Sequence, residues 1–197
     1  LHNDYDKGGD SLTTIIIDQP MRGSINFNDD GSFVYKPNSI DVSSDTFHYA
    51  VFDGYFYDTA EVTLSKLMEG VDIATVIEIS PIYFDVNKSN IRPDASVELD
   101  KIVDVMNEYP SMIVELGSHT DCRASYGYNR SLSDRRAKSS ANYIKSRITG
   151  PERIYGKGYG ESKLKNKCEC EGRRKVDCTE DEHQENRRTE FLIIKMD

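Results

Sequence analysis

The chain has 197 residues, of which 37% are hydrophobic and 30% are charged, and its formal net charge is −9. This length suits one large domain or two small ones. No apolar run approaches the ~20 residues that a membrane helix needs, and the negative charge argues against nucleic acid or an anionic membrane as a partner. We therefore expect no transmembrane segment and no nucleic-acid ligand.

The first 68 residues read as short strands separated by turns. Segments rich in β-branched and aromatic residues predict strands over 12–17, 24–27, 32–35, 45–52 and 57–67. The turn Asn28-Asp29-Asp30-Gly31 lies between two of these segments and is a hairpin signal. No helical periodicity of useful length is present, so residues 1–68 predict a small all-β sandwich.

A cluster of oxygen-bearing side chains near the start invites a calcium interpretation. Asn3, Asp4, Asp6 and Asp10 are crowded within a short stretch, and calcium prefers hard oxygen ligands. The stretch lacks the glycine and the distal glutamate of a twelve-residue calcium loop. Acidic turns are common on strand-rich surfaces, so we predict neither a metal nor another cofactor.

Residues 69–75 read as a linker, after which strands alternate with helices. The strands are predicted over 76–84, 112–118, 153–158 and 189–195, and the helices over 93–108, 126–147 and 179–186. Pro93 opens the first of these helices. Its predicted apolar stripe consists of Val97, Leu99, Ile102, Val103 and Met106. This alternation indicates a sheet with helices packed on one face.

The chemistry of the C-terminal part centres on one carboxylate and one guanidinium. Asp121 follows an apolar strand, and Asn129, Leu132 and Arg136 are spaced i, i+3 and i+7, so these three share one helix face. That face points back toward Asp121. Such a pair suits a zwitterionic ligand, because arginine presents a planar fork to a carboxylate. Spacing alone favours an ordinary Asp121–Arg136 salt bridge.

Four motifs occur in order along the C-terminal part. They are Ile82-Tyr83-Phe84-Asp85-Val86-Asn87-Lys88-Ser89-x-Ile91; His119-Thr120-Asp121 with Asn129 and Leu132-Ser133-x-x-Arg136-Ala137; Lys157-Gly158-Tyr159-Gly160-Glu161; and Glu185-Asn186-Arg187-Arg188-Thr189-Glu190-Phe191. Together they resemble the peptidoglycan-binding OmpA-like C-terminal domain family, from about residue 76 to the C-terminus. The resemblance implies a βαβαβ two-layer α/β sandwich over residues 76–197. Ala124 departs from the family, which usually has glycine there.

The N-terminal part has a resemblance of its own. Its motifs are Leu1-x-Asn3-Asp4-x-Asp6-x-x-x-Asp10-x-Leu12, Gln19-Pro20-x-x-Gly23, Asp30-Gly31-Ser32-Phe33-x-Tyr35-x-Pro37 and Asp45-x-Phe47-x-Tyr49-x-Val51-x-Asp53-Gly54. They resemble bacterial cadherin-like and immunoglobulin (Ig)-like surface modules. A strand normally precedes the first motif in such modules, so we expect this module to be truncated and the sequence to be a piece of a longer protein. The predicted fold class is thus α+β, an Ig/cadherin-like β-sandwich followed by an OmpA-like domain.

The OmpA-like resemblance implies a ligand, the diaminopimelate side chain of the peptidoglycan stem peptide. Carried over by position, Asp121 would meet the ligand ammonium and Arg136 its carboxylate. The resemblance also implies that Asn129 and Asn87 support the ligand as polar residues. It implies that Phe84 and Leu132 form walls of the binding site. Leu132 could instead be an ordinary core residue, and Asn87 could serve only to shape a turn.

All four cysteines lie in the C-terminal part, and an even count suits two disulfides in an oxidising compartment. The resemblance implies a Cys168–Cys178 bridge, because many family members carry a cysteine pair there, and Cys122–Cys170 would then be the second. The sequence itself leaves the connectivity open. A zinc site built from Cys168, Cys170 and Cys178 with His119 or His183 is the rival, but its C-x-C-x7-C spacing misses the usual knuckle.

Three function classes compete. Non-catalytic wall binding is the first, and a structural scaffold of an envelope or secretion assembly overlaps with it. A cell-wall hydrolase is the third, but Ser118, His119 and Asp121 are near neighbours on one strand and cannot converge as a triad, and no H-E-x-x-H or G-x-S-x-G motif occurs. We expect no enzyme. We expect a periplasmic protein, associated with the outer membrane of a Gram-negative-type bacterium and tethered to the wall, with envelope proteins as further partners.

Overall fold

The computed structural model describes residues 7, 9, 11–39, 42–77, 79–85, 87–170 and 176–196. The chain divides into two compact units, Leu1–Lys66 and Leu67–Asp197. The acidic cluster Asn3, Asp4, Asp6 and Asp10, for which a calcium interpretation was considered, lies outside the described residues. None of the helices in these described ranges combines the length and the apolar character that crossing a lipid bilayer requires.

The described residues of the N-terminal unit form five antiparallel strands. They are β1 (Thr13–Ile16), β2 (Gly23–Phe27), β3 (Phe33–Pro37), β4 (Ser44–Phe52) and β5 (Tyr57–Ser65). Strands β1, β4 and β5 form one sheet in the order β1-β4-β5, and β2 pairs with β3 in a second sheet. All five strands predicted from β-branched and aromatic residues are confirmed, with ends shifted by a few residues.

Aromatic side chains join the two N-terminal sheets. Phe47 of β4 is fully buried. Its ring makes edge-on contacts with Phe27 of β2, at 6.0 Å between ring centroids, and with Phe33 of β3, at 5.2 Å. Edge-to-face pairs at this separation are favourable beyond the area they bury. The β-sandwich predicted for this part of the chain is therefore confirmed.

The C-terminal unit is a mixed α/β domain. Its elements are α1 (Pro93–Glu108), β6 (Ile113–His119), α2 (Tyr126–Lys145), β7 (Ile154–Gly160), α3 (Glu180–Asn186) and β8 (Thr189–Lys195). The sheet order is β7-β6-β8, in which β6 runs parallel to β7 and antiparallel to β8. Helix α2 packs across β7 and β6, and α1 packs beside α2. The α+β class is confirmed.

The strand predicted over 76–84 is wrong for the described residues of that segment. Before this segment, the chain forms an isolated bridge to β8 between Asp72 and Leu192 and then enters a short 3₁₀ turn at Ile73–Thr75. The Asp72 carboxylate explains why the pairing of the chain with β8 ends at Asp72. It accepts the backbone N–H of Phe191 at 2.7 Å and that of Ala74 at 3.1 Å, so one side chain occupies the next ladder position and also caps the turn.

Helix α1 starts as predicted, with Pro93 in its first turn, where a missing N–H costs nothing. Four of its predicted stripe residues are buried, but Val97 is 60% exposed and does not belong to the stripe. Ala95 takes its place, since it is 2% exposed and lies in the core cluster. A single apolar residue on a helix surface is common and needs no special cause.

Helix α2 lies unusually close to β7, because two positions of β7 lack a side chain. A Cβ on Gly156 would overlap the backbone carbonyl of Ala137, and one on Gly158 would overlap the backbone of Asp134. The backbones of the helix and the strand therefore touch directly, and this contact fixes how far the start of α2 stands from the end of the sheet.

A cleft at the carboxyl end of strand β6

A cleft of about 550 Å³ opens where β6 ends, β8 begins and α2 begins. Residues 82–84, Asn87, the loop 118–124, the first turns of α2 and the segment 184–189 contribute to its lining. The six residues predicted from the sequence as ligand-binding all line this one cleft: Phe84, Asn87, Asp121, Asn129, Leu132 and Arg136.

The Asp121 carboxylate is buried and strongly paired. Its Oδ2 accepts hydrogen bonds from Arg123 Nε at 2.9 Å and from Arg187 Nη1 at 2.7 Å, while its Oδ1 accepts the backbone N–H of Arg123 at 3.2 Å. Burial alone would raise the pKa of Asp121. The hydrogen bonds from Arg123 and Arg187 outweigh it and hold the pKa below its usual value. Asp121 is therefore ionised at neutral pH.

The Arg136 guanidinium is held without a carboxylate. Its Nε donates to the carbonyl oxygen of Lys88 at 3.0 Å and its Nη2 to that of Asp85 at 3.3 Å, while its Cζ lies 4.9 Å from the centroid of the Phe84 ring. Burial lowers its pKa from the ordinary value. No carboxylate of the described residues forms an ion pair with Arg136, so the alternative of an Asp121–Arg136 salt bridge is wrong.

Asn129 supports the loop that carries Asp121. It is 3% exposed, and its Nδ2 donates to the carbonyl oxygens of Asp121 at 3.0 Å and of Ala124 at 3.2 Å, and to the carboxylate of Glu161. The loop is thereby fastened to the first turns of α2. Leu132 is 7% exposed, so it forms part of the core as well as part of the cleft wall.

The loop on the opposite side of the cleft is shaped by Asn87. Its φ of +62° lies in the left-handed region, which asparagine tolerates better than most side chains. Its Oδ1 accepts a hydrogen bond from the Tyr128 hydroxyl, and this contact joins the loop to α2. Asn87 therefore shapes a turn, and it also faces the cleft.

Sequence reasoning missed other residues of the cleft, among them the polar side chains of Arg123, Tyr128, Arg187 and Arg188. Arg187 and Arg188 stand in the quoted Glu185–Phe191 motif, so a signal was present, but no spacing rule brings Arg187 to Asp121 across 66 positions. Glu180 lies behind these residues and binds two of them. It accepts from Arg123 Nη1 at 2.7 Å and from Arg187 Nη2 at 2.6 Å.

Residues 83–177 match the OmpA family model, and residues 1–65 match the bacterial Ig domain model. Residues 83–177 are thus an OmpA-family domain. The resemblances inferred for both parts of the sequence are confirmed.

Curated relatives match parts of the chain. Photosystem I P700 chlorophyll a apoprotein A2 of Gloeobacter violaceus is 36% identical over 114 residues, 57% of this chain and 12% of that protein. Outer membrane porin F of Pseudomonas fluorescens is 34% identical over 46% of this chain and 28% of its own. Peptidoglycan-associated lipoprotein of Rhizobium meliloti is 33% identical over 42% of this chain and 47% of its own. The chain spans less than half the length of each of these relatives.

Solved structures also resemble the chain. The peptidoglycan-associated lipoprotein from Burkholderia pseudomallei aligns with a TM-score of 0.48 at 18% identity, covering 57% of this chain and 87% of that one.

Two disulfides brace the C-terminal unit beside the cleft. Cys122, which stands between Asp121 and Arg123, is bonded to Cys170, and Cys168 is bonded to Cys178. This is the pairing that the family resemblance implies. The rival zinc site requires free thiolates, and the described chain holds all four sulfurs in disulfides.

A second charge network underlies the cleft in the C-terminal unit. The buried His119 ring stacks on Tyr159 at 5.0 Å, and its Nε2 lies 3.1 Å from Glu190 Oε2, while Arg188 Nε donates to Glu190 Oε1 at 2.7 Å. Hydrogen bonds from His119 and Arg188 lower the pKa of Glu190 to about 2. Burial lowers the pKa of His119, so a neutral ring donates from Nε2 to an ionised Glu190.

This network predicts that acid destabilises the C-terminal unit. Both groups bind fewer protons in the folded protein than in the unfolded chain, so their contribution is full above pH 6.5. Stability should fall as the pH drops through 6.5 for His119, and again between 4.5 and about 2 for Glu190. Thermal unfolding from pH 7 to 3 checks this. Glu190→Gln should flatten the dependence of the unfolding temperature on pH below 4.5, and Glu152→Gln, at an exposed position, should not. Identical pH profiles for the two variants would contradict the role given to Glu190.

Proposed function

We propose that this chain binds the diaminopimelate side chain of the peptidoglycan stem peptide without cutting it. By doing so it tethers an outer-membrane-associated protein to the cell wall. The observation that carries the proposal is one cleft that holds an ionised carboxylate, Asp121, and a guanidinium without a carboxylate partner among the described residues, Arg136.

Arg136 suits the ligand carboxylate. Two of its donors are used by backbone carbonyls, which fix the plane of the guanidinium, and the donors of Nη1 have no partner among the described residues. Its half-buried charge is incompletely compensated by carbonyl dipoles and by the Phe84 ring. A carboxylate that enters the cleft would complete this site with a charge-assisted hydrogen bond.

Asp121 suits the ligand ammonium. Its Oδ2 is occupied by Arg123 and Arg187, whereas its Oδ1 accepts only the backbone N–H of Arg123 among the described residues. A carboxylate oxygen has room for a further donor, and the three donors of an ammonium can meet it there. The pair Asp121 and Arg136 then recognises two opposite charges carried on one carbon atom.

The same cleft argues for binding without hydrolysis. A serine hydrolase needs a histidine hydrogen-bonded to its nucleophile. Here His119 Nε2 faces Glu190, and its Nδ1 has no partner within the described chain. Asp121 is occupied by arginines rather than by an imidazole. Tight charge pairing holds a ligand well but supplies neither a nucleophile nor a general base.

The proposed location rests on the relatives and on the cysteines. Two relatives are named as an outer membrane porin and a peptidoglycan-associated lipoprotein, which points to the cell envelope. Disulfides persist in oxidising compartments such as the periplasm. In this picture the C-terminal unit binds the wall, and the Ig-like unit serves as a spacer or as a contact surface for other envelope proteins.

The proposal predicts retention on diaminopimelate-type sacculi without release of soluble fragments. The purified chain is incubated with insoluble sacculi and sedimented, and the supernatant is analysed for muropeptides. Sacculi with lysine at the third stem position are the control, since lysine lacks the distal carboxylate and should retain much less protein. Equal retention on both wall types would contradict diaminopimelate recognition, and soluble muropeptides would contradict binding without cutting.

A further inference from the structure

Four charged side chains alternate in sign at the edge of the cleft. Asp121 Oδ2 is bound by Arg123 and Arg187, and both guanidiniums are bound in turn by the two oxygens of Glu180. We call these four residues the charge ring. The ring carries two negative and two positive charges, so it is neutral as a whole. Glu180 is the outermost member, with 65% of its side chain exposed, and it does not line the cleft.

Glu180 decides the charge that a ligand meets at Asp121. With Glu180 removed, one carboxylate would stand between two guanidiniums, and this corner of the cleft would carry a net positive charge. An ammonium that approaches Asp121 Oδ1 would then be repelled by the uncompensated guanidinium. A carboxylate at Arg136 would lose nothing, because Arg136 stands outside the ring and is held by the carbonyls of Asp85 and Lys88.

We propose that Glu180 is a specificity-determining residue, which admits an ammonium at Asp121 by neutralising the second guanidinium of the charge ring. It acts through Arg123 and Arg187 and does not touch the ligand, so it is a positioning residue. This inference rests on the proposed binding of diaminopimelate. A capping box between Thr179 and Glu182 starts α3, and Glu180 therefore lies in the first turn of this helix.

Three stem tripeptides separate the charge effect from a general loss of binding. Their third residues are diaminopimelate, 2-aminopimelate, which keeps the distal carboxylate but lacks the distal ammonium, and lysine, which keeps the ammonium but lacks the carboxylate. Each is titrated calorimetrically into the full chain at low ionic strength, because salt screens exposed charges. The variants are Glu180→Gln, which removes the charge, and Glu180→Asp, which keeps it.

Glu180→Gln should weaken binding of the diaminopimelate and lysine peptides by roughly threefold each, the size expected for exposed ion pairs, and should leave the 2-aminopimelate peptide unchanged. Glu180→Asp should preserve the wild-type order. The matched control is Asp181→Asn, which removes the same charge from the neighbouring exposed residue, outside the charge ring, and should change no affinity.

Each outcome has a distinct meaning. An equal loss for all three peptides in Glu180→Gln would show a merely structural role and overturn the inference, as would unchanged affinities for all three. In both cases wild-type binding of the diaminopimelate peptide would leave the proposed function standing. A wild-type chain that binds none of the peptides would overturn the proposed function and the inference with it.

Discussion

Arg136→Ala is expected to weaken binding of a diaminopimelate stem peptide by about 2–4 kcal/mol, because the ligand carboxylate would be desolvated in the cleft without a partner. Arg136→Lys should fall between wild type and alanine, since lysine keeps the charge but not the planar fork. Calorimetric titration measures all three.

Neighbouring Arg135 provides the matched control. It is exposed, it donates to Ser131 Oγ at 2.6 Å, and it does not line the cleft. Arg135→Ala removes the same charge from the same helix and should leave the affinity unchanged. Near-native affinity in Arg136→Ala, or equal losses in both alanine variants, would show that Arg136 is not the carboxylate-binding residue.

Gly158→Ala is expected to destabilise the C-terminal unit by about 3 kcal/mol, because overpacking a close contact forces rigid elements apart. The new methyl group would overlap the backbone of Asp134, so α2 would have to move away from β7. Urea denaturation followed by far-ultraviolet circular dichroism reports on this unit, since the helices that the structure describes, α1 to α3, all belong to it.

Gly127→Ala is the control for this effect. Gly127 lies in the first turn of α2, and a Cβ there meets nothing within 4 Å. Alanine in a helix is favoured over glycine by roughly 0.5–1 kcal/mol, so this variant should be neutral or slightly stabilised. Equal unfolding midpoints for Gly158→Ala and wild type would show that the helix can shift at no cost.

Local sequence signals predicted most of the elements. The five strands of the N-terminal unit follow from β-branched and aromatic residues, and α1 begins at Pro93. The prediction of a strand over 76–84 was wrong. The apolar residues of this segment resemble a strand, but the carboxylate of Asp72, which precedes the segment, accepts the hydrogen bond that would continue the ladder. The hydrophobic periodicity of a sequence does not show where a side chain will compete with the backbone for a hydrogen bond of the ladder.

The cleft was only partly predictable for a similar reason. Helical spacing and the family motifs pointed to six residues that do lie around one cleft. The partners of Asp121 were not found, because Arg187 approaches it from a distant segment that the sheet topology brings back beside β6. Neither spacing nor charge count reveals that Asp121 faces two guanidiniums and that Arg136 faces backbone carbonyls.

The Cys122–Cys170 bridge has a mechanical consequence for the C-terminal unit. Tension applied to a protein travels along its covalent chain. The bridge joins residues 48 positions apart, and the chain between them contains α2 and β7. Tension that runs along the backbone crosses directly from Cys122 to Cys170 through the sulfur atoms. Tension applied between residues that precede Cys122 and residues that follow Cys170 therefore bypasses α2, and such a pull cannot unravel this helix while the bridge is intact.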